Sequence, residues 1–508
     1  MSICRWVTWW ADRTPGNIAI RFEDQEITYA EFASRVAKVA SILQGFKIHA
    51  GDRVAWVGYN SPEFLIALFA CARIGAIIVP LNFRLAPREH LFMVNNSGAN
   101  LLFFDPRLSA TAKFISTERQ TCVCISTSES DFEFSKSSLT QLLAIADMEI
   151  EGEPPPIDTP LLIIYTSGTT GRPKGAVLTQ RAIHWNGLNS QLMHDLRRND
   201  HILTTLPFSH VGGLNIQTTP ALQVGATVTL IEKFHAGQFL SMVAKLRPTL
   251  TVLVPTQMRA ISMHPDWRNA DLSSLRCVTT GSTVVQVPLL NIWHDHDIPV
   301  IQIYGCTESA PIAIHQVLES AQTSAGSVGR PAMYCDVKVV TPSGVSAADD
   351  EVGEIVLRGP NIMREYWQDE TATTSSMKFG WLQTGDIGYR DTHGNFYIVD
   401  RKKRVIISGG ENIYPSELER ILLEHPDIKE AVVVGHPNDK WGEVPVVAFV
   451  SDSISSRDSK LLADLFEGRV GHLKHPHHYI LMDSLPKNAM GKVVIADVQM
   501  ELRKRIGD

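Results

Sequence analysis

The sequence predicts an α/β protein: a large N-terminal domain made of two halves in which strands and helices alternate, plus a small β-rich unit, followed by a small α+β C-terminal domain. Three observations carry this. Short β-branched runs alternate with helical apolar spacing from residue 18 to 104, and the same rhythm returns between 227 and 304. The texture then shifts to short strands around 350–400, before a final hundred residues with their own pattern. At 508 residues the chain exceeds the roughly 250–300 at which single cores stop growing, so at least two domains are expected.

Residues 18–22 and 25–28 read as two short strands, and 29–44 as a helix with Phe32, Val36, Val39, Ala40 and Leu43 on its apolar face. Residues 54–58 read as a buried strand. Ser61 and Pro62 then supply an N-cap and a first-position proline for a helix ending near Gly75. A strand at 76–80, a helix at 87–97 and a strand at 100–104 continue the alternation of a parallel sheet covered by helices. Residues 126–156, rich in Ser, Asp, Glu and Pro, read as a surface excursion leading to an apolar strand at 161–164. Beyond it come a helix at 182–196, a strand at 201–206, and strands at 227–231, 250–254, 277–280 and 300–304 separated by helices such as 236–246 and 287–294. The β-rich unit has strands at 353–357, 388–390 and 396–399. The C-terminal domain has a helix at 415–424, strands at 428–435 and 444–450, and a helix at 460–472.

Composition excludes several classes. Hydrophobic residues make up 44% and charged residues 20%, which describes a globular chain, not a disordered one. A net charge of −7 gives no electrostatic reason to expect nucleic-acid binding, so an anionic substrate has to meet a locally basic site. The most apolar stretch, 64–81, is broken by Arg73, Gly75 and Pro80 and so argues against a bilayer span. Seven cysteines lack Cys-x-x-Cys spacing and read as reduced core thiols. The N-terminus lacks a secretory pattern, so a cytoplasmic home is expected.

Chemistry concentrates after the strand 161–164. Thr166, Ser167, Thr169 and Thr170 donate hydrogen bonds, Gly168, Gly171 and Gly175 let the backbone approach a ligand, and Lys174 supplies a mobile positive charge. These are the parts of a polyanion cradle. A P-loop is disfavoured, because Gly175 follows Lys174 where a Mg²⁺-binding hydroxyl is required. Two further turns follow strand ends, where an open sheet of this kind places its ligand. One carries Gly281 and Ser282. The other carries Tyr304 as an aromatic face for a base, Gly305, Thr307 for phosphate, and Glu308 as a hard oxygen ligand for Mg²⁺, with the Thr166 hydroxyl a second metal candidate. Asp386 offers a carboxylate to the ribose hydroxyls. His472, His475, His477 and His478 are not read as a metal site, since no cysteine or carboxylate set completes a zinc pattern.

Taken in order, residues 165–177, 304–308, 400–419 and 486–493 resemble the signature segments of the adenylate-forming superfamily, which includes acyl- and aryl-CoA synthetases, luciferases and adenylation domains. The chain is closest in character to bacterial fatty-acyl- or aryl-CoA ligases. The resemblance implies a domain spanning 1–400 and a mobile lid spanning 401–508, with Arg401 before a hinge at Lys403. Arg404 departs from the acidic residue common next to that hinge. The resemblance further implies that His210 orients the acyl group, and that Lys492 stabilises charge between carboxylate and α-phosphate. Lys174 and Mg²⁺ would hold the departing pyrophosphate, and Gly409, Gly410 and Trp441 would line a pantetheine tunnel.

The implied reaction joins a small carboxylic acid to AMP from ATP and transfers the acyl group to CoA. A module that loads a carrier protein and a nucleotide-binding homologue without turnover are the alternatives, and a homodimer is left open. Pocket segments at 186–188, 208–214, 254–258 and 280–284 are apolar or small without an obvious arginine, which favours a fatty or aryl monoacid over a dicarboxylate.

Overall fold

A computed structural model describes residues 2–129, 132–166, 173–282, 285, 287–324, 326–409, 411–487 and 493–506, the side chain of Arg457 excepted. The chain forms two compact units, one of residues 1–337 with 356–383, the other of 338–355 with 384–508.

Two large sheets organise the first unit. One has eight strands in the order Glu365–Tyr366, Lys174–Thr179, Pro160–Thr166, Ile77–Leu81, Arg53–Val57, Leu101–Phe104, Val123–Ser126 and Ser135–Ser138. From Pro160–Thr166 through Ser135–Ser138 the pairing is parallel. Leu161, Leu162, Ile163 and Ile164 are all buried, as a strand covered on both faces requires. Each such side chain contributes about 1.5–3 kcal/mol relative to exposure. Ile163 and Val177 join Val57, Val79, Leu102 and Phe104 in one core cluster.

The second sheet has nine strands, ordered Arg330–Pro331, Ile314–His315, Val300–Tyr304, Cys277–Thr280, Leu250–Val252, His201–Thr204, Thr227–Leu230, Ile18–Phe22 and Gln25–Thr28. Its middle strands are parallel, from Val300–Tyr304 to Ile18–Phe22. The first strand of the chain thus belongs to the later half: Ile20 pairs with Val228. Phe239, Met258, Trp267, Val278, Trp293 and Val300 form the core on this sheet.

Several elements match the sequence reading closely. The helix Pro87–Ser97 has its proline in the first turn and a left-handed Gly98 at its end. The helix Ala236–Leu246 packs a strongly apolar side, Phe239, Leu240 and Val243. The expected excursion at 126–156 instead holds a sheet strand, Ser135–Ser138, and a helix, Leu139–Ile145, whose N-cap Ser138 accepts from Gln141 N while Gln141 reaches back. The helix Cys4–Arg13 was not foreseen, and it buries only Cys4 and Val7.

In the second unit a sheet of Glu411–Ile413, Ile406–Ser408, Gly442–Val450 and Glu430–Asn438, with His478–Leu481 added alongside Gly442–Val450, separates two cores. Val433, Val447 and Phe449 face Leu418 and Leu422 of the helix Pro415–Leu423. The alternate residues Val432, Val434, Val446 and Ala448 face Val498 and Leu502 of the helix Ile495–Ile506. The two-residue pleat therefore serves one helix on each face. The helix expected at 460–472 stops early, at Ser459–Asp464; Gly468 (φ +68°) and Gly471 follow in the turn leading to the short 3₁₀ segment His472–Lys474.

Candidate active site

The signature segment folds as a β-hairpin. Pro160–Thr166 pairs antiparallel with Lys174–Thr179, Thr166 opposite Lys174 and Ile163 opposite Val177. Ser167, Gly168, Thr169, Thr170 and Gly171 lie outside the described residues. Thr166 Oγ1 donates to Lys174 O at 3.4 Å. Gly175 has a different purpose from the one expected: a Cβ there would lie 2.6 Å from Ile163 Cγ2, so it makes room for its cross-strand neighbour. Tyr165, at the head of the segment, donates to Asn96 Oδ1 at 2.6 Å and is structural.

The second motif leaves the end of the strand Val300–Tyr304. Tyr304 is buried. Gly305 is required by close approach, since a Cβ there would sit 1.6 Å from Pro311 O. Thr307 and Glu308 lie on a 3₁₀ turn, Thr307–Ser309, and are half-buried. The strand Lys174–Thr179 packs against this turn, so the hairpin and the acidic turn are neighbours. Between them stands Tyr366, a residue that motif reading passed over. Its hydroxyl donates to Glu308 Oε1 at 2.6 Å, and Lys174 Nζ lies 5.4 Å from its ring centroid.

Glu308 makes no ion pair with a lysine or arginine among the described residues, and it is the kind of hard oxygen donor Mg²⁺ takes, as is the Thr166 hydroxyl. The donor set therefore fits a magnesium nucleotide. At the neighbouring strand end, Gly281 approaches Ile303 O so closely that a Cβ would sit at 2.5 Å. Ser282 is exposed with φ +75°.

His210 is the N-cap of the short helix Val211–Asn215. Asn82 Nδ2 lies 3.5 Å from its Nε2. Burial, then the charge of Arg84, pushes the imidazole down to about 4, so it is neutral at physiological pH and suited to orienting an acyl group. The turn before it is held by Asn60, whose Nδ2 donates to Leu206 O at 2.9 Å while its Oδ1 accepts from Phe208 N at 2.9 Å. Two pocket expectations change. Asn186 is fully buried, donating to Asn215 O at 2.7 Å and accepting from Ile312 N at 2.9 Å, and so belongs to the framework. Arg84 is a cation beside His210 that the pocket segments did not include; burial lowers its pKa, and its guanidinium lies 4.8 Å from the Phe83 ring centroid.

In the second unit, Asp386 and Arg401 sit opposite each other on paired strands, with Arg401 Nε 2.5 Å from Asp386 Oδ1. Asp400 accepts from Ser416 N and Oγ at 2.7 and 2.8 Å, fastening the strand to the next helix. Lys403 is exposed on the 3₁₀ turn Lys402–Arg404. Arg404, the departure from the family pattern, pairs with the half-buried Glu419 and lies 3.6 Å from Asp400. Gly409 (φ +57°) donates its N–H to Trp441 O at 2.8 Å, and a Cβ on it would lie 2.8 Å from the Trp441 ring, so these two residues do come together. Gly410 and Lys492 lie outside the described residues. The histidine reading needs a correction: Glu467 supplies the carboxylate that the sequence pattern lacked, and its oxygen and one ring nitrogen each of His472 and His475 lie within 4.8 Å of one another.

Comparison with known proteins accounts for nearly all of the chain. The AMP-binding enzyme family matches residues 7–367, and the AMP-binding enzyme C-terminal domain matches residues 417–492. An indoleacetate–CoA ligase of Aromatoleum aromaticum is 43% identical over 99% of both chains. A feruloyl-CoA synthase of an Amycolatopsis species is 38% identical over 98% of this chain and 97% of its own. Among solved structures, the Bacillus subtilis o-succinylbenzoate CoA synthetase in complex with ATP and magnesium superposes with a TM-score of 0.86 at 31% identity, covering 98% of this chain and 99% of that one. The same synthetase with its acyl-adenylate intermediate gives 0.85 at 30%, covering 99% and 98%. The chain belongs to the AMP-binding enzyme family and is an ATP-dependent, AMP-forming CoA ligase.

Proposed function

We propose that the acid this ligase activates is an aryl monoacid. The observation that carries the reading is full-length similarity at 43% and 38% identity to ligases named for indoleacetate and ferulate. Both are acids with a flat ring and one reacting carboxylate, which suits a neutral His210 as an orienting group.

In the first half-reaction a carboxylate oxygen attacks the α-phosphorus of ATP and pyrophosphate departs. Lys174 takes charge on the leaving pyrophosphate, and Lys492 takes it between carboxylate and α-phosphate. Glu308 and the Thr166 hydroxyl would hold Mg²⁺, which would supply further neutralisation of the phosphates when bound. Ser167, Gly168, Thr169, Thr170 and Gly171 wrap the β- and γ-phosphates; Gly281, Ser282, Tyr304, Gly305 and Thr307 receive the rest of the nucleotide, with Asp386 and Arg401 at the ribose. In the second half-reaction the CoA thiol attacks the acyl carbon and AMP leaves. Gly409, Gly410 and Trp441 guide the pantetheine, with residues 401–508 turning about Lys403 between the two steps. A cytoplasmic location is supported by the buried thiols of Cys4, Cys71, Cys122, Cys124, Cys277 and Cys335.

The test is pyrophosphate release with ATP, CoA and a panel of indoleacetate, phenylacetate, cinnamates, fatty acids of graded length and aryl dicarboxylates. Aryl monoacids are expected to give the highest kcat/KM. Preference for fatty acids or for dicarboxylates would overturn the reading, the latter pointing to Arg84 as a second carboxylate's partner.

A further inference from the structure

The contact between Tyr366 and Glu308 joins segments far apart in sequence, and strand geometry explains it. The short strand Glu365–Tyr366 adds to the open edge of the signature hairpin, pairing Tyr366 with Ala176 and Glu365 with Val177. Lys174 and Ala176 are two residues apart and so project from the same face of their strand. Tyr366, opposite Ala176, is therefore the diagonal neighbour of Lys174, within reach for an aromatic ring. That is the 5.4 Å contact between the Lys174 ammonium and the Tyr366 ring.

The backbone around Tyr366 is fixed from several directions. Arg364 N donates to Val177 O at 2.9 Å, Trp367 N to Gly175 O at 2.7 Å, and Tyr366 N to Thr373 Oγ1 at 2.9 Å. Met363 N donates to Glu308 O at 2.7 Å, so the same segment also grips the backbone of the acidic turn.

We propose that Tyr366 is a positioning residue that fixes Glu308 and Lys174 relative to each other before the nucleotide arrives. Its hydroxyl occupies Glu308 Oε1 at 2.6 Å, which orients the carboxylate and leaves Oε2 for a cation. Its ring face restrains the Lys174 ammonium near the same turn. This rests on the assignment of Glu308 to Mg²⁺ and of Lys174 to pyrophosphate.

The experiment is calorimetry of ATP binding to the full chain without acid, across a range of Mg²⁺ concentrations. Tyr366→Phe keeps the ring and loses only the hydroxyl. It is expected to bind metal-free ATP and to melt as the wild type does, while the Mg²⁺ needed for half-maximal enhancement rises about 10- to 100-fold, the usual cost of losing a group that orients a metal ligand. Tyr366→Leu removes the ring as well and is expected also to weaken pyrophosphate binding, which Tyr366→Phe retains. A wild-type Mg²⁺ dependence in Tyr366→Phe overturns the proposal. Glu308→Gln separates the two readings. If it keeps the wild-type Mg²⁺ dependence, the assignment of Glu308 has failed; if it loses that dependence while Tyr366→Phe does not, only the role of Tyr366 has.

Discussion

Asp386 and Arg401 face each other across paired strands, the guanidinium Nε 2.5 Å from a carboxylate that is almost wholly buried. If the carboxylate serves the ribose, the arginine holds it aimed. Asp386→Ala is expected to raise the KM for ATP roughly 10- to 100-fold, the scale of losing a hydrogen bond to a charged group. Arg401→Ala strands a buried carboxylate and is expected to lower the melting temperature as well. An ATP KM unchanged in Asp386→Ala would remove Asp386 from the nucleotide site.

The lysine at residue 492 and the turn at 403 are assigned to separate half-reactions. Lys492→Ala is expected to abolish formation of the acyl-adenylate while sparing thioester synthesis from a supplied adenylate. Lys403→Pro restricts the backbone where rotation is proposed. It is expected to leave pyrophosphate release intact and to depress thioester formation. Single-turnover assays of the two steps decide, and equal loss of both steps in either variant would count against the division.

Neighbouring glycines in the His210 turn are expected to respond oppositely to one methyl group. At Gly213 a Cβ would lie 2.5 Å from both Leu206 O and Pro207 O, which are backbone atoms and cannot step aside. At Gly212 the nearest atom is 3.6 Å away. Gly213→Ala should therefore lower the melting temperature by several degrees or more and Gly212→Ala should not, as a pair of thermal melts would show.

Acid should destabilise the fold through histidines held neutral. Burial lowers His194 to about 3 and His201 to about 4, each below the ordinary value of about 6.5. His194 is fully buried, its Nε2 2.8 Å from Thr279 Oγ1. Below about pH 6.5 the unfolded chain binds protons that the folded chain refuses, so stability falls as pH falls from about 6.5 towards 4. Denaturant midpoints are expected to drop between about pH 7 and pH 5 and to be level just above pH 7. A flat profile through the acid window would mean that these imidazoles take up protons without unfolding.

What could be read in the sequence was what is encoded locally. Pro87 and Gly98 bracket a helix because proline and glycine act on their own backbone, and Phe239, Leu240 and Val243 mark a buried side by spacing alone. The phosphate-cradle segment, the acidic turn and the Asp386 segment could be picked out because each carries its chemistry in consecutive residues, whereas the return of 174–179 as a second strand and the run of the Asp386 strand from Trp381 were not read. Tyr366 was not, since its meaning depends on a strand pairing with Lys174–Thr179 that no neighbour in sequence announces. Gly175 was read as ligand space for the same reason: Ile163 crowds it from across the hairpin. Glu467 was missed because a turn, not a helix, carries it back toward His472 and His475.

The place of the first strand bears on how the chain is made. Ile18–Phe22 finds its parallel partner only in Thr227–Leu230, so during synthesis its inner edge stays open until about two hundred further residues have emerged. An unpaired strand edge is a template for the wrong partner. Gln25–Thr28 shields one side at once by folding back, and Arg21, paired with Glu26, keeps charge on that ribbon while it waits. The sheet that carries Tyr304 at one of its parallel strands is thus completed at the other end by an early part of the chain, which makes its assembly a late, non-local event.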